Sequence, residues 1–250
     1  MTNDFSELIQ AAEAAHFSGW DFSWLEGRLI EDAPPWDYRQ IVLGFLSAAN
    51  SLLDMGTGGG EFLASLLNLP ADTQATEAYP PNIKIAKARL EPLGIRVHTL
   101  NDGEKLPLPD ERFDLVINRH ESFDPKEIYR ILKPGGLFIT QQVGGRDNIT
   151  LNQFLAPGIN LQYADWDLLA AVNGLKAAQL NIKTQQEAFP ENRFLDIGAV
   201  VYYLKVIEWQ IPGFDVQQSI DKLKQLHQHI LENGYFQTFT HRFLIIAEKI

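Results

Sequence analysis

Four glycines and two acids stand together where a ligand could meet bare backbone. Residues 52–62 read Leu-Leu-Asp-Met-Gly-Thr-Gly-Gly-Gly-Glu-Phe, a short apolar strand that runs into a glycine turn and then opens a helix. Glycine has no Cβ, so Gly56, Gly58, Gly59 and Gly60 tolerate positive φ and let a bound molecule lie against the chain. Gly56, Gly58 and Gly60 spell G-x-G-x-G, whereas the dinucleotide fingerprint needs its third glycine one residue later, where Glu61 stands. With Asp54 on one side and Glu61 on the other, the turn would repel a pyrophosphate and favour a ligand that carries positive charge. Glu77 follows 17 residues beyond Gly60 (77 minus 60), after an apolar helix. A carboxylate there can accept from both hydroxyls of a ribose, which points to a nucleoside without saying which.

These residues need a scaffold that gathers them, and the chain alternates strands with helices. A modest helix over 4–16 leads into residues 17–38, an irregular flap that holds Trp20, Trp24 and Trp36. Those rings either pack the segment onto the core or line an apolar pocket. Asp37 with Gln40 suits a capping box for the helix before the first strand. Strands are then predicted at 73–78, 96–100, 113–118 and 137–143, with helices at 82–93 and 126–132, Gly94 as a stop and Lys133-Pro-Gly-Gly136 as a turn. Beyond Val143 the pattern loosens into a polar, irregular stretch over 144–164. A helix over 165–180, a strand over 182–189, a helix over 195–208, a charged amphipathic helix over 216–233 and a long final strand over 236–248 complete the chain, with breaks at 190–193 and 209–214. The fold class is therefore α/β, a doubly wound and mostly parallel sheet. Ligands of such sheets bind at the carboxyl ends of the strands, which is where Asp54, Glu77, Asp102 and Asn118 all fall.

Asp54-Met-Gly-Thr-Gly-Gly-Gly60 resembles motif I of the class I S-adenosylmethionine-dependent methyltransferases. Two further stretches agree. Asn101-Asp-Gly-Glu-Lys-Leu-Pro-Leu-Pro-Asp-Glu-Arg-Phe-Asp-Leu-Val116 and Ile131-Leu-Lys-Pro-Gly-Gly-Leu-Phe138 are similar to the later motifs of the ubiquinone-biosynthesis-like (type 11) branch, and the resemblance covers residues 38–143. It implies a seven-stranded, Rossmann-like methyltransferase sheet with an antiparallel last strand, and S-adenosylmethionine as cofactor. It also implies cofactor contacts at Asp54, Gly56, Thr57, Gly58, Gly60, Glu77 and Ala78, with Asp102 accepting from the adenine amino group, the backbone of Gly103 and Glu104 reading the ring, and Asn118 and Arg119 beside the methionine arm. By itself Asp102-Gly103 is a turn dipeptide. Tyr79 either stacks near the adenine or packs on its own helix.

Methyl transfer is an in-line displacement at an already activated carbon, so the enzyme aligns the nucleophile and excludes water, and needs a base only when the acceptor arrives protonated. His120, just past the fourth strand, is the catalytic candidate, with Glu121 next, although a lone histidine in a loop is more often a hydrogen-bonding or surface residue. Gln141 and Gln142 end the fifth strand, where a glutamine could hold a polar acceptor or satisfy backbone groups. His227 and His229 are two apart on a helix, do not share a face and make a poor metal pair, so no metal is expected and both are placed on a solvated surface.

Composition narrows the acceptor. The chain has no cysteine, which removes thiolate zinc sites, disulfides and the covalent route to cytosine C5. A net charge of −11 argues against a broad phosphate-binding surface, which places a small-molecule acceptor ahead of RNA or DNA. No stretch approaches the length of a membrane span and the start lacks a signal peptide, so a cytoplasmic protein is expected. Residues 1–250 form one expected domain: an N-terminal helix and flap (1–37), a cofactor-binding core (38–143), insertions with the sixth strand (144–214), and a last helix and strand (215–250). Residues 17–38, 144–164 and 190–214 are expected to form a lid. The competing functions are an RNA methyltransferase, a non-catalytic cofactor-binding regulator and, less favoured because of Glu61, an NAD-type oxidoreductase.

Overall fold

A computed structural model describes residues 4–17, 20–100 and 105–250. In chain order its elements are α1 (Phe5–Ala14), β1 (Leu29–Glu31), α2 (Tyr38–Leu46), β2 (Ser51–Met55), α3 (Glu61–Ser65), β3 (Asp72–Glu77), α4 (Pro80–Leu90), β4 (Arg96–Thr99), β5 (Phe113–Arg119) and α5 (Pro125–Ile131). They continue with β6 (Leu132–Val143), α6 (Ile149–Leu155), α7 (Leu168–Ala177), β7 (Leu180–Ala188), β8 (Glu191–Phe194), α8 (Ile197–Val206), α9 (Ile220–Asn233), β9 (Phe236–Phe239) and β10 (Arg242–Lys249). The chain divides into two compact units. One comprises 35–143, 167–187 and 243–250; the other comprises residues up to 34, 144–166 and 188–242.

The first unit carries a seven-stranded sheet in the order β4-β3-β2-β5-β6-β10-β7. The sheet is mostly parallel with one antiparallel strand, β10, as the family resemblance implies. β2 pairs in parallel with β3 on one side (Asp54 opposite Ala75) and with β5 on the other (Met55 opposite Asn118). The order reverses between those neighbours, which opens a crevice beyond their carboxyl ends. Strands at such a centre are covered on both faces, and the apolar runs satisfy that: every residue of β2 is buried, as are Leu115, Val116 and Ile117 of β5. α2 starts on Asp37, whose carboxylate accepts from Gln40 N at 3.1 Å, as the capping box predicts. α4 ends through a short 3₁₀ turn at Gly94, in the left-handed region at φ 79°.

Lys133 to Gly136 does not separate a helix from a strand. It is a bulge inside β6, with Leu132 opposite Phe113 and Leu137 opposite Leu115. The extra residues loop out against Asp114, which Lys133 Nζ binds at 2.9 Å.

The second unit has its own three-stranded antiparallel sheet, β1-β8-β9, and its own core, where Leu8, Ala12, Phe194, Val200, Tyr202, Leu223 and Leu226 lie together. Arg28 makes a bidentate pair with Asp196 at 2.8 and 2.7 Å, and Asp196 also caps α8 by accepting from Ala199 N at 2.9 Å. Trp24 stacks on Tyr202 with ring centroids 4.6 Å apart and carries the Arg28 guanidinium on its face at 3.8 Å. Packing is thus what Trp24 does.

Several expectations change here. The irregular flap contains β1, and the stretch 144–164 contains α6. The break at 190–193 is the start of β8. The single long final strand is two strands, β9 and β10, which turn at Thr240 and His241 and belong to different sheets. His227 is not solvated: it is buried among α9 neighbours with Phe5 at 5.5 Å, while His229 is exposed.

Candidate functional site

At the carboxyl end of β2 the chain must leave the sheet, and glycine makes the exit possible. The turn is pinned to β3: Thr57 N donates to Thr76 O at 2.9 Å and Gly56 N to Thr76 Oγ1 at 3.2 Å. Gly56 sits at φ 64°, and a Cβ added there would stand 2.5 Å from Glu121 Cβ. Gly60, at φ 81°, caps α3 with the Leu90 side chain against it at 2.8 Å from where a Cβ would be. Side chains at these positions would be strained and would collide, so the backbone stays bare.

Asp54 is 5% exposed and accepts from Thr57 Oγ1 at 2.7 Å. Burial pushes its carboxyl up to about 7; the Thr57 hydroxyl and Arg119 oppose that rise, and Glu77 adds to it. Glu77, at the end of β3, accepts through Oε1 from Ala78 N at 3.0 Å and Tyr79 N at 2.8 Å. Burial raises this carboxyl too, against the stabilising N–H groups of Tyr79, Gly58 and Ala78. Two desolvated acids side by side at one crevice favour a cationic ligand, whose charge would replace the lost water. Glu61 does not share in this. It is exposed and paired with Arg89, which also donates to Gly59 O, so the negative field comes from Asp54 and Glu77 and not from the pair first expected.

Asn118 ends β5 with no exposed surface. Its Oδ1 accepts from Thr140 Oγ1 at 3.0 Å and from Gln142 Nε2 at 2.7 Å, both on β6, while its Nδ2 has no hydrogen-bond partner among the described residues. A buried donor without a partner is costly, which sets this amide apart from its satisfied neighbours. The backbone of Asn118 is held by Tyr38, whose hydroxyl donates to Asn118 O at 3.0 Å and accepts from Asn118 N at 3.1 Å. Burial, with the nearby Asp54 charge, pushes the Tyr38 phenol well up, so it remains neutral.

His120 follows β5, exposed and in the left-handed region at φ 67°. Its backbone N donates to Gln141 O at 2.8 Å, and its Nε2 lies 3.0 Å from Gln141 Nε2. Gln141 Oε1 accepts from Trp36 Nε1 at 2.8 Å. Both glutamines of β6 are therefore engaged, Gln141 with Trp36 and His120, and Gln142 with Asn118, Thr140 and the carbonyl of Glu121. Arg119 lies over the Phe62 ring at 5.0 Å.

The crevice thus collects Asp54, Gly56, Thr57, Gly58, Gly60, Glu77, Ala78, Asn118 and His120 at the ends of adjacent strands. Asp102 and Gly103 lie outside the described residues. Sequence reasoning gave Tyr38 no role, left Trp36 open between packing and pocket, and placed Arg119 beside Asn118 without its contact to Phe62. Tyr38 reads only as a buried helix position, and Trp36 meets its partner across 105 residues, a pairing with no local signal. Among the described residues no group of three or more His, Cys, Asp or Glu could hold a metal, and no helix is long and apolar enough to cross a membrane.

A family model described as a methyltransferase domain matches residues 53–140. A malonyl-[acyl-carrier protein] O-methyltransferase from Marinomonas is 28% identical over 75% of this chain and 76% of its own length. A ubiquinone biosynthesis O-methyltransferase from Cereibacter sphaeroides is 35% identical, but over only 35% of this chain and 39% of its own length. Among solved structures, the YcgJ protein from Bacillus subtilis is similar in fold, with a TM-score of 0.58 at 18% identity, covering 85% of this chain and 97% of that one.

Proposed function

Because this chain belongs to the class I S-adenosylmethionine-dependent methyltransferases of the type 11 branch, we propose that it methylates an oxygen of a small molecule. S-Adenosylmethionine is its cofactor and methyl transfer its chemistry. The observation that carries the site assignment is two desolvated carboxylates, Asp54 and Glu77, at the ends of adjacent strands around a side-chain-free turn. The oxygen acceptor is supported by the relatives, which are named for O-methylation, and the small molecule by the charge of −11.

Bound there, the cofactor supplies a methyl group on a sulfonium, ready for displacement. The chain's own residues do the rest. Glu77 would hold the ribose hydroxyls through charge-assisted bonds while its Oε1 stays fixed by Ala78 and Tyr79. Asp54 would stabilise positive charge, and Asn118 Nδ2 would donate to an acceptor atom of the amino-acid arm. Gly56 would let that arm lie against the strand end. Alignment of this kind lowers the barrier because the reaction is an in-line approach with little acid–base work.

Calorimetric titration with S-adenosylhomocysteine tests the site. Saturable one-to-one binding, weakened in Glu77 and Asp54 variants, is expected; NADH binding with no response to S-adenosylhomocysteine would end the reading. Mass spectrometry of small molecules that co-purify with the native protein would identify the acceptor.

A further inference from the structure

We propose that Trp36 and Gln141 are positioning residues that fix the tautomer of His120. They hold it as a neutral imidazole with its proton on Nδ1 and its Nε2 lone pair engaged, so that it does not act as a base. This rests on the methyltransferase reading above for its place in catalysis, but the tautomer itself does not.

An indole Nε1–H can only donate, and Trp36 points its own at Gln141 Oε1, 2.8 Å away. That identifies the oxygen of the Gln141 amide, so the atom 3.0 Å from His120 Nε2 is the amide nitrogen, which can only donate. His120 Nε2 must therefore offer its lone pair, and a neutral ring with a lone pair on Nε2 carries its proton on Nδ1. Protonating Nε2 would set two N–H groups against each other. The amide cannot turn over to relieve this, because its nitrogen would then face the Trp36 N–H, and Trp36 is buried at 9% exposure. Each group in the chain is committed by the one before it.

The backbone supports the same arrangement. His120 is not glycine yet sits at φ 67°, held there by the bond from its N to Gln141 O at 2.8 Å. Such a conformation is unfavourable for a non-glycine residue and persists where the surroundings over-determine it. The ionisable neighbours are Arg119 and Glu121 on either side in the chain, with Tyr38, Asp54 and Glu77 at the adjoining strand ends. A His120 so held supplies no base, and the acceptor that suits it is an oxygen already ionised at neutral pH, such as a carboxylate.

The test is long-range ¹H–¹⁵N correlation spectroscopy of the six histidine side chains in the full-length protein, with His120 assigned by loss of its signals in His120→Asn. At pH 7.5 His120 should show a single tautomer, with an unprotonated Nε2 shift and a protonated Nδ1 shift. Trp36→Phe removes the indole donor, and His120 should move toward the Nε2–H form that free imidazole side chains prefer. Gln141→Glu replaces the amide donor by an acceptor and should shift His120 fully to Nε2–H. A wild-type His120 that carries its proton on Nε2, or one whose tautomer is unchanged in Gln141→Glu, would overturn the proposal. Should Trp36→Phe fail to fold, the wild-type spectrum and Gln141→Glu still decide. Loss of S-adenosylhomocysteine binding by the wild type would instead strike the functional reading and leave the tautomer result standing.

Discussion

Asp54→Asn separates charge from shape at the centre of the site. The variant keeps an oxygen for the Thr57 hydroxyl, 2.7 Å away, and removes only the ionisable proton. Burial lifts the Asp54 carboxyl from 3.8 to about 7, and each unit corresponds to about 1.4 kcal/mol, so the ionised acid costs the ligand-free fold about 4 to 5 kcal/mol at most (7 minus 3.8, times 1.4). The sign comes from proton occupancy. Between pH about 4 and about 7 the folded chain retains a proton at Asp54 that the unfolded chain has released, so this group's contribution falls as pH rises through that window and is flat above it. The Asn variant lacks that slope. Urea unfolding of both proteins without cofactor is the assay, and the stability of the variant relative to wild type should grow by about 2 to 3 kcal/mol between pH 5 and pH 8. A variant that is less stable than wild type at pH 8, or a difference that does not change with pH, would refute the account. The same acid then couples to the ligand. A cation bound beside Asp54 favours the ionised form, so wild-type binding of S-adenosylmethionine at pH 6 should release a proton, visible as a buffer-dependent binding heat that vanishes at pH 8.5 and in the Asn variant.

Three other substitutions probe single contacts. Glu77→Gln keeps an oxygen for the Ala78 and Tyr79 N–H groups but loses the charge, and should weaken S-adenosylhomocysteine binding by about 1.5 to 3 kcal/mol in calorimetry; unchanged affinity would remove Glu77 from the ribose contact. Tyr38→Phe leaves the N–H and C=O of Asn118 without the hydroxyl that serves both, which should lower stability by about 1 to 3 kcal/mol in urea unfolding, and a loss under 0.5 kcal/mol would mean that water replaces the hydroxyl at little cost. Asp196→Ala removes both the N-cap of α8 and the partner of the half-buried Arg28, with an expected loss of about 3 kcal/mol in the same assay; a loss of about 1 kcal/mol would show that only the cap contributes.

What the sequence made legible is what local patterning controls. β2 and β5 announce themselves because a strand buried on both faces carries an apolar run, Leu52-Leu53 and Leu115-Val116-Ile117, and the turn between β2 and α3 does so because only glycine fits at φ 64° beside Glu121. Asp37 and Gly94 mark helix ends through bonds made within a few residues. The electrostatics were legible only in outline. Asp54 stood out as an acid at the turn, but the exposed Glu61 reads the same way in one dimension, and only its pairing with Arg89 removes it from the field at the site.

The end of the chain shows where local pattern gives out. Residues 236–248 hold no glycine or proline to punctuate them, yet they are split between two sheets. The break is imposed from far away in sequence. Asp147 Oδ1 accepts from His241 N at 2.8 Å, and Gly144 N donates to His241 O at 2.9 Å, so both backbone groups of His241 are taken by the segment after β6 and neither is left for a ladder. Asp147 also pairs with Arg242, which binds Glu31 at 3.3 Å. An acid 94 residues upstream therefore decides where β9 ends and β10 begins, and no periodicity within 236–248 encodes it. The same reason hides the Trp36, Gln141 and His120 chain. Its members are ordinary residues in their own neighbourhoods, and their chemistry exists only once β5 and β6 are paired in register and the loop before α2 has laid its indole against them.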